Sequence, residues 1–292
     1  MDVRITPAEL IRGRPATIAL TYEEGGQAVD PGSVSVTITG HDGAEVWSGI
    51  AEGTGTSERT VALTAAQLGR LDQLTITATS ATVGEVTLKV PVVGAELFGV
   101  GEARRFGDGA LADPIRYPDE ALIELRARIR EAFTVITGQR FVPELVTVTL
   151  DAYGGQALLL PDVRVSRIVA VAERYGATWT ELSADDLATL VLAESGMILR
   201  TAGTWPHGSH AVRLAYECGW PQPPLEIRRA ALRLATSYQG LLSSNLPDRA
   251  LSMSDELGTF RLATPGVGGS WFGLPEVDAV LDRYRVVMPG IG

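Results

Sequence analysis

The chain has 292 residues, 45% of them hydrophobic and 21% charged, a balance that fits a globular protein with room for two domains and a sizeable core. Acids outnumber Lys+Arg by 35 to 25, for a net charge of -10, which disfavours a grip on phosphate backbones. No run approaches the roughly 18 apolar residues of a membrane span, so no membrane partner is expected. Met1–Pro7 lacks an apolar signal core, so no cleaved leader is expected. Cys218 is the single cysteine, which excludes an intramolecular disulfide and suggests a reducing interior.

Residues 1–93 read almost wholly as β. Ile18–Tyr22, Val34–Thr39, Ala44–Trp47, Thr60–Leu63, Leu74–Thr79 and Val86–Val90 are predicted strands. Val34–Thr39 alternates with period two, and the turn Gly40-His41-Asp42-Gly43 makes it one arm of a hairpin. Short strands with turn signals about every 8–12 residues predict an immunoglobulin-like β-sandwich. Thr64–Leu68 fits one helical turn. Residues 94–118, punctuated by Gly94, Gly99, Gly101, Gly107 and Gly109, read as a linker with a short helix.

A second domain is predicted over 119–292. Asp119–Gly138 is a helix: acids open it, Gly138 ends it, and Leu122, Leu125, Ile129, Phe133 and Ile136 form one apolar stripe. Residues 140–216 return to β, with strands at Leu145–Asp151, Ala157–Leu160, Val163–Val171, Met197–Arg200 and Ala211–Tyr216, and a helical turn within Leu182–Leu192. After Pro223-Pro224, Leu225–Leu242 carries an Ala-rich apolar stripe that would let a neighbouring helix approach closely. Residues 243–272 read as an exposed polar loop. Leu274–Arg285 forms the last helix, and Met288–Gly292 a flexible tail.

Chemistry-bearing patterns are sparse. The three histidines are His41, His207 and His210; the last two sit around Gly208 and read as loop histidines rather than a metal pair. Gly268–Gly273 does not match a nucleophile elbow. Cys218 has no visible base and reads as a buried small hydrophobe. Gly94, Gly99 and Gly101 match neither the dinucleotide fingerprint nor the Walker loop. No catalytic residue, metal site or cofactor is expected, and the protein is expected not to be an enzyme. The basic side is almost all arginine: Lys89 is the only lysine, leaving 24 arginines. Arginine forks onto carboxylates better than lysine, and a GC-rich genome gives the same bias. Arg126 with Arg130, and Arg229 with Arg233, lie four apart on their helices. They read as subunit contacts or as solvated faces with local ion pairs.

The second domain resembles the head-to-tail adaptor (head-tail connector) proteins of long-tailed bacteriophages, especially those of actinobacterial hosts. The resemblance runs from about Tyr117 to Tyr284. It is carried by Gly138-Gln139-Arg140-Phe141-Val142-Pro143, Leu158-Leu159-Leu160-Pro161 with Val163–Val171, and Gly203-Thr204-Trp205-Pro206. Val212-x-Leu214-x-Tyr216-x-x-Gly219 follows, then Pro223-Pro224 and the closing helices. The resemblance implies, over 119–292, a small helical bundle with a β-rich insertion at about 140–216; with the sandwich of 1–93, which the smallest members lack, the chain is expected to be α+β with two domains. The resemblance also implies a virion structural protein, made in the host cytoplasm. About twelve copies would form a ring that joins the portal to the tail at the head-tail interface. Its partners would be the portal protein, further copies of itself, and the next connector or tail protein. DNA would pass through the channel without sequence-specific binding. By position, portal contacts fall on Arg283, Tyr284, Arg285 and Met288; Arg229 and Arg233, from their helix spacing, stand beside them as portal or subunit contacts. The chain alone is expected to be monomeric or weakly associated and to form its ring on the portal.

Two other readings stand beside it. A surface adhesion or carbohydrate-binding module would use aromatics on one sandwich face, for which Tyr22 and Trp47 are nearly the only candidates. A hydrolase would need a cleft with convergent titratable groups, to which three histidines give little.

Overall fold

In the computed structural model, residues 2–53, 55–193, 196–238 and 271–286 are described, together with the backbone of Ser252–Asp255 and Gly258–Arg261. The chain is mixed α+β and rich in strand.

The first nine strands are β1 (Asp2–Thr6), β2 (Leu10–Ile11), β3 (Ala16–Glu24), β4 (Gln27–Ala28), β5 (Val34–Thr39), β6 (Glu45–Ile50), β7 (Glu58–Leu63), β8 (Asp72–Ser80) and β9 (Gly84–Val93). One sheet runs β1-β3-β4 with β7 also on β3; the other runs β2-β9-β8-β5-β6. Alternation sets the faces. Val34, Val36 and Ile38 of β5 are buried while Ser35 and Thr37 face out. They share one core with Ile18, Leu20 and Tyr22 of β3 and with Leu74 and Ile76 of β8. The predicted strands are all present. β1, β2 and β4 were not predicted: two of them are only two residues long, too short for a period to show.

Between residues 94 and 141 the chain carries helices joined by turns. α1 (Val100–Arg105) is the short helix expected in the linker. α2 (Asp119–Thr137) buries Leu122, Leu125, Ile129, Phe133 and Ile136; each such side chain contributes about 1.5–3 kcal/mol when fully buried. Gly138 ends it in the left-handed region at φ 66°, its N–H donating to the Thr134 carbonyl at 2.8 Å.

The chain then returns to β as β10 (Glu144–Tyr153), β11 (Ala157–Leu159), β12 (Val165–Tyr175) and β13 (Thr178–Glu181). After α3 (Ala184–Ala188) come β14 (Leu190–Leu192), β15 (Met197–Arg200) and β16 (His207–Cys218). The helical turn expected within Leu182–Leu192 is thus α3 followed by a strand. The sheets are β10-β16-β12-β13 and β11-β15-β14. They share a core of Val171, Ile198, Trp205, Val212, Leu214 and Tyr216. His207 and His210, expected in a loop, lie inside β16. Alternation is broken there by Gly208 and by His210 at φ 50°, which hid the strand's beginning.

The last helices are α4 (Leu225–Ser237) and α5 (Pro275–Tyr284), with the hairpin β17 (Ser252–Asp255) and β18 (Gly258–Arg261) between them. Tyr238, predicted within α4, is its cap; residues 239–242 of the predicted helix and the tail from Met288 lie outside the described residues.

Contacts divide the chain into two compact units, Met1–Ala95 with Val142–Gln222 and Glu96–Phe141 with Pro223–Gly292. The second β region is therefore grouped with the N-terminal sheets, a division that the chain-order boundaries of 1–93 and 119–292 do not draw. Within the β unit, Leu71, Leu145 and Ala215 cluster with Val169, and the Gly94 N–H donates to the Pro143 carbonyl at 2.7 Å. Gly219, at φ +114°, is required here because a Cβ would lie 2.1 Å from the Val142 carbonyl oxygen.

Candidate interaction surface

In the helical unit, apolar periodicity decides which side chains reach solvent. Ile227, Ala230, Ala231, Leu234 and Ala235 of α4 turn inward, as do Val277 and Leu281 of α5. That leaves Glu226, Arg229 and Arg233 of α4, with Glu276 and Arg283 of α5, exposed. Arg233 Nε donates to Glu276 Oε1 at 3.0 Å, and Arg283 Nη1 reaches both Glu226 oxygens at 2.9 and 2.8 Å. Each helix therefore lends one acid and one base to the other. The Glu276 carboxyl is held below its usual range, first by its own backbone N–H at the helix start and then by Arg233.

The residues proposed as contacts are placed as follows. Arg229 is exposed and makes no ion pair among the described residues. Arg233 and Arg283 carry the α4–α5 pairs. Tyr284 lies edge-on to Phe141 at 5.8 Å between centroids, the end of a run of rings through Phe133 and Phe272. The Arg285 guanidinium lies over Trp271, 5.3 Å from its centroid. Met288 is outside the described residues. Val135 of α2 and Leu225 of α4 are large apolar side chains left in solvent.

Arg126 was read as half of a surface group, and the structure corrects this. It is 2% exposed, and its Nη1 donates to Glu96 Oε1 at 2.9 Å and to the Phe98 carbonyl at 3.0 Å. The helical position held the signal: Arg126 is four residues past Leu122 and three before Ile129, inside the buried stripe. Sequence reasoning also missed Arg228, whose Nη2 donates to Glu102 at 2.6 Å and so ties α4 to α1.

In the β unit, a cleft of about 380 Å³ is lined by Glu173, Tyr175, Thr180, Glu181, Arg200 and neighbours. Arg200 and Glu173 form an ion pair at 2.6 Å. The Tyr175 hydroxyl donates to Glu173 at 2.9 Å; that bond, and burial after it, raises the phenol above its usual range. No histidine or cysteine is among the cleft's lining residues.

Beside it, β16 bulges. Its register against β10 jumps between Leu150 and Ala152. The bulge turns the Ser209 hydroxyl and the His210 N–H onto Asp151 at 3.0 and 2.7 Å, and the Ser209 carbonyl accepts from Arg174 Nη2. Arg174 pairs with Trp179 in the ladder, and Arg213 lies two strands from β13. The guanidiniums of Arg213 and Arg174 lie over the Trp179 ring, 4.8 and 5.9 Å from its centroid. Among the described residues, no group of three or more His, Cys, Asp or Glu is placed to hold a metal ion, and no helix is long and apolar enough to cross a membrane.

No protein-family model matches the chain, and no curated protein matches it. Solved structures of gene transfer agent (GTA) particles are similar to it. A chain from the neck of an empty GTA particle, computed with C6 symmetry, is 18% identical over 67% of this chain and 93% of that chain, with a TM-score of 0.46. A chain from the neck of a native GTA particle, computed with C12 symmetry, is 19% identical over 57% and 85%, with a TM-score of 0.38. A chain from the virion of the native particle is 19% identical over 60% and 81%, with a TM-score of 0.36.

Proposed function

We propose that the protein is a non-enzymatic virion component that joins the portal of a phage-type capsid to the tail, as a ring of identical copies around the DNA channel. The observation that carries this reading is the way the helical unit closes on itself. α2 leaves for a long β excursion, and the chain returns after Pro223-Pro224 to lay α4 and α5 on α2 and α1. That is the order of elements implied by the resemblance to head-to-tail adaptors. A helical unit of this kind buries one face for its own core and keeps another for a neighbour. Arg229, Val135 and Leu225 lie on what is left in solvent.

In this reading the N-terminal sheets are an immunoglobulin-like decoration of the ring, the portal is met through the carboxy-terminal segment up to Met288, and acidic walls let DNA slide. A carbohydrate-binding reading lacks its platform: Tyr22 is buried and Trp47 packs partly against the sheet core. The test is to remove the gene from a particle-producing genome and examine lysates by electron microscopy. Heads and tails should accumulate separately, and complementation should rejoin them. Tailed, infectious particles lacking this polypeptide would sink the proposal.

A further inference from the structure

The Arg174–Trp179–Arg213 cluster is a charge arrangement that the connector reading does not use. The chain carries ten more acids than bases, so an arginine at its surface is normally met by a carboxylate. Arg213 is exposed and makes no ion pair among the described residues. None of the acids around it pairs with it among the described residues. Glu217 pairs with Arg167 at 2.6 Å. Asp151 is bound by the bulge. Glu173 pairs with Arg200. Glu181 shares β13 with Trp179 and lies opposite Ala172, itself opposite Arg213, but forms no ion pair with Arg213 among the described residues. What fixes Arg213 is the face of Trp179, and Arg174 is fixed by the same ring and by the Ser209 carbonyl. Stacking uses the flat face of a guanidinium and leaves its in-plane N–H groups free to fork onto an oxyanion.

We propose that this cluster is a docking surface for a carboxylate-bearing segment of a partner protein, with Arg213 as the principal fork and Arg174 as its support. A protein carboxylate fits better than a nucleic acid. A base stacking on Trp179 would compete with the two guanidiniums that lie over its ring, and the acidic balance of the chain opposes a polyphosphate. The surface stands independently of the ring reading, because it requires neither a portal nor a second copy.

The test uses the full chain and two fluorescein-labelled probes, an oligoglutamate peptide and an oligothymidylate of equal length, in low-salt fluorescence anisotropy. The wild type should bind the peptide more tightly than the oligonucleotide. Arg174→Gln with Arg213→Gln should weaken peptide binding at least tenfold. Arg213→Lys keeps the charge but not the fork, and should weaken it severalfold while leaving the thermal midpoint unchanged. Arg128→Gln, which breaks an exposed pair on α2, should change nothing. Absence of peptide binding, retention of it in the double variant, or tighter binding of the oligonucleotide overturns the proposal.

Discussion

The arginines of the helical unit and those of the β10-β16-β12-β13 sheet are held by different physics. In the helical unit carboxylates hold them: Arg126 on Glu96, Arg228 on Glu102, Arg233 on Glu276, Arg283 on Glu226. On the sheet and its flanks carboxylates still pair with Arg167 and Arg200, but indole rings share the work. Arg213 and Arg174 lie over Trp179, Arg164 lies 3.6 Å from the centroid of Trp220, and Arg200 lies 4.5 Å from that of Trp205. The geometry of the elements explains the difference. Helix faces bring acids and bases into register across a packed pair. A sheet sets flat rings beside long side chains one strand away. The lesson is that charge held by carboxylate is spent on the fold, whereas Arg213, held over a ring and in no ion pair among the described residues, keeps its charge for a partner.

The largest break in this comparison should come from the buried member of the first group. Arg126→Met removes the partner of Glu96 and of the Phe98 carbonyl. Removing one side of a buried pair costs several kcal/mol; because the Glu96 side chain keeps 26% exposure, about 3 kcal/mol is expected, read as a lowered urea midpoint. Adding Glu96→Gln should recover part of the loss in a double-mutant cycle. A loss below about 1 kcal/mol would place Arg126 with the surface pairs.

That residue also shows what the sequence could and could not reveal. The period of α2 was plain, and so were its acidic start and its Gly138 stop. The burial of Arg126 lay in the same period, but arginine in a buried stripe contradicts its usual preference, and only a partner from Glu96, thirty positions earlier, makes it possible. The N-terminal strands were legible wherever six or more residues alternated. The two-residue strands β2 and β4 exist because neighbours pair with them. The Trp179 cluster was not legible at all. Arg174 and Trp179 are close in sequence, but Arg213 arrives through the register of β12 with β16, which bulges shift twice. Of the proposed contact residues, Arg229 is exposed. The ion pairs of Arg233 and Arg283 needed the α4–α5 packing, which sequence spacing does not carry.

The β unit also holds a buried acid bonded to a tyrosine, and it sharpens the contrast. The Tyr216 hydroxyl donates to Asp162 Oδ2 at 2.6 Å, both residues buried. Tyr216→Phe keeps the ring and removes the donor. It should cost about 2 kcal/mol in chemical unfolding, less than the Arg126 change. A neutral outcome would mean that Asp162 does not depend on this bond.

A smaller effect should follow pH at the turn between β5 and β6, where the β unit does use carboxylates. Arg70 grips Asp42 bidentately at 2.8 and 2.9 Å, and its Nε donates to Asp72 at 2.8 Å; His41 Nδ1 lies 2.8 Å from Asp72. The Arg70 bonds hold the Asp42 carboxyl down at about 2, against burial, which would raise it. For Asp72 burial is the largest influence and pushes upward, but bonds from His41 and the charge of Arg70 outweigh it, so its carboxyl also sits low. A depressed acid stabilises the fold above its unfolded value, near 3.8, and loses that contribution as pH falls through the folded value. Asp42 is well exposed, so solvent screening limits its share to about 1 kcal/mol or less. The urea midpoint of Arg70→Gln should lie below the wild type at pH 6, and the gap should narrow towards pH 2. A gap independent of pH would show that Arg70 acts through packing alone.

The smallest effect belongs to the exposed α4–α5 pairs. Arg233 and Glu276 are each more than half exposed, so their attraction is weakened by water and by the entropy of holding two long side chains. Arg233→Ala should cost less than about 0.5 kcal/mol and nothing measurable at 1 M salt, where screening acts within a few ångströms. Arg229→Ala should leave stability unchanged, because no described carboxylate meets it. Arg233→Glu is different in kind: it sets two carboxylates against each other across the helix pair and should cost more than the alanine change, in a salt-dependent way. Charge reversal at Arg233 therefore disturbs the fold as well as any contact. Reversal at Arg229 alone is the cleaner probe of assembly: loss of ring formation with an unchanged urea midpoint would assign Arg229 to a neighbour, and intact rings would release it from that role.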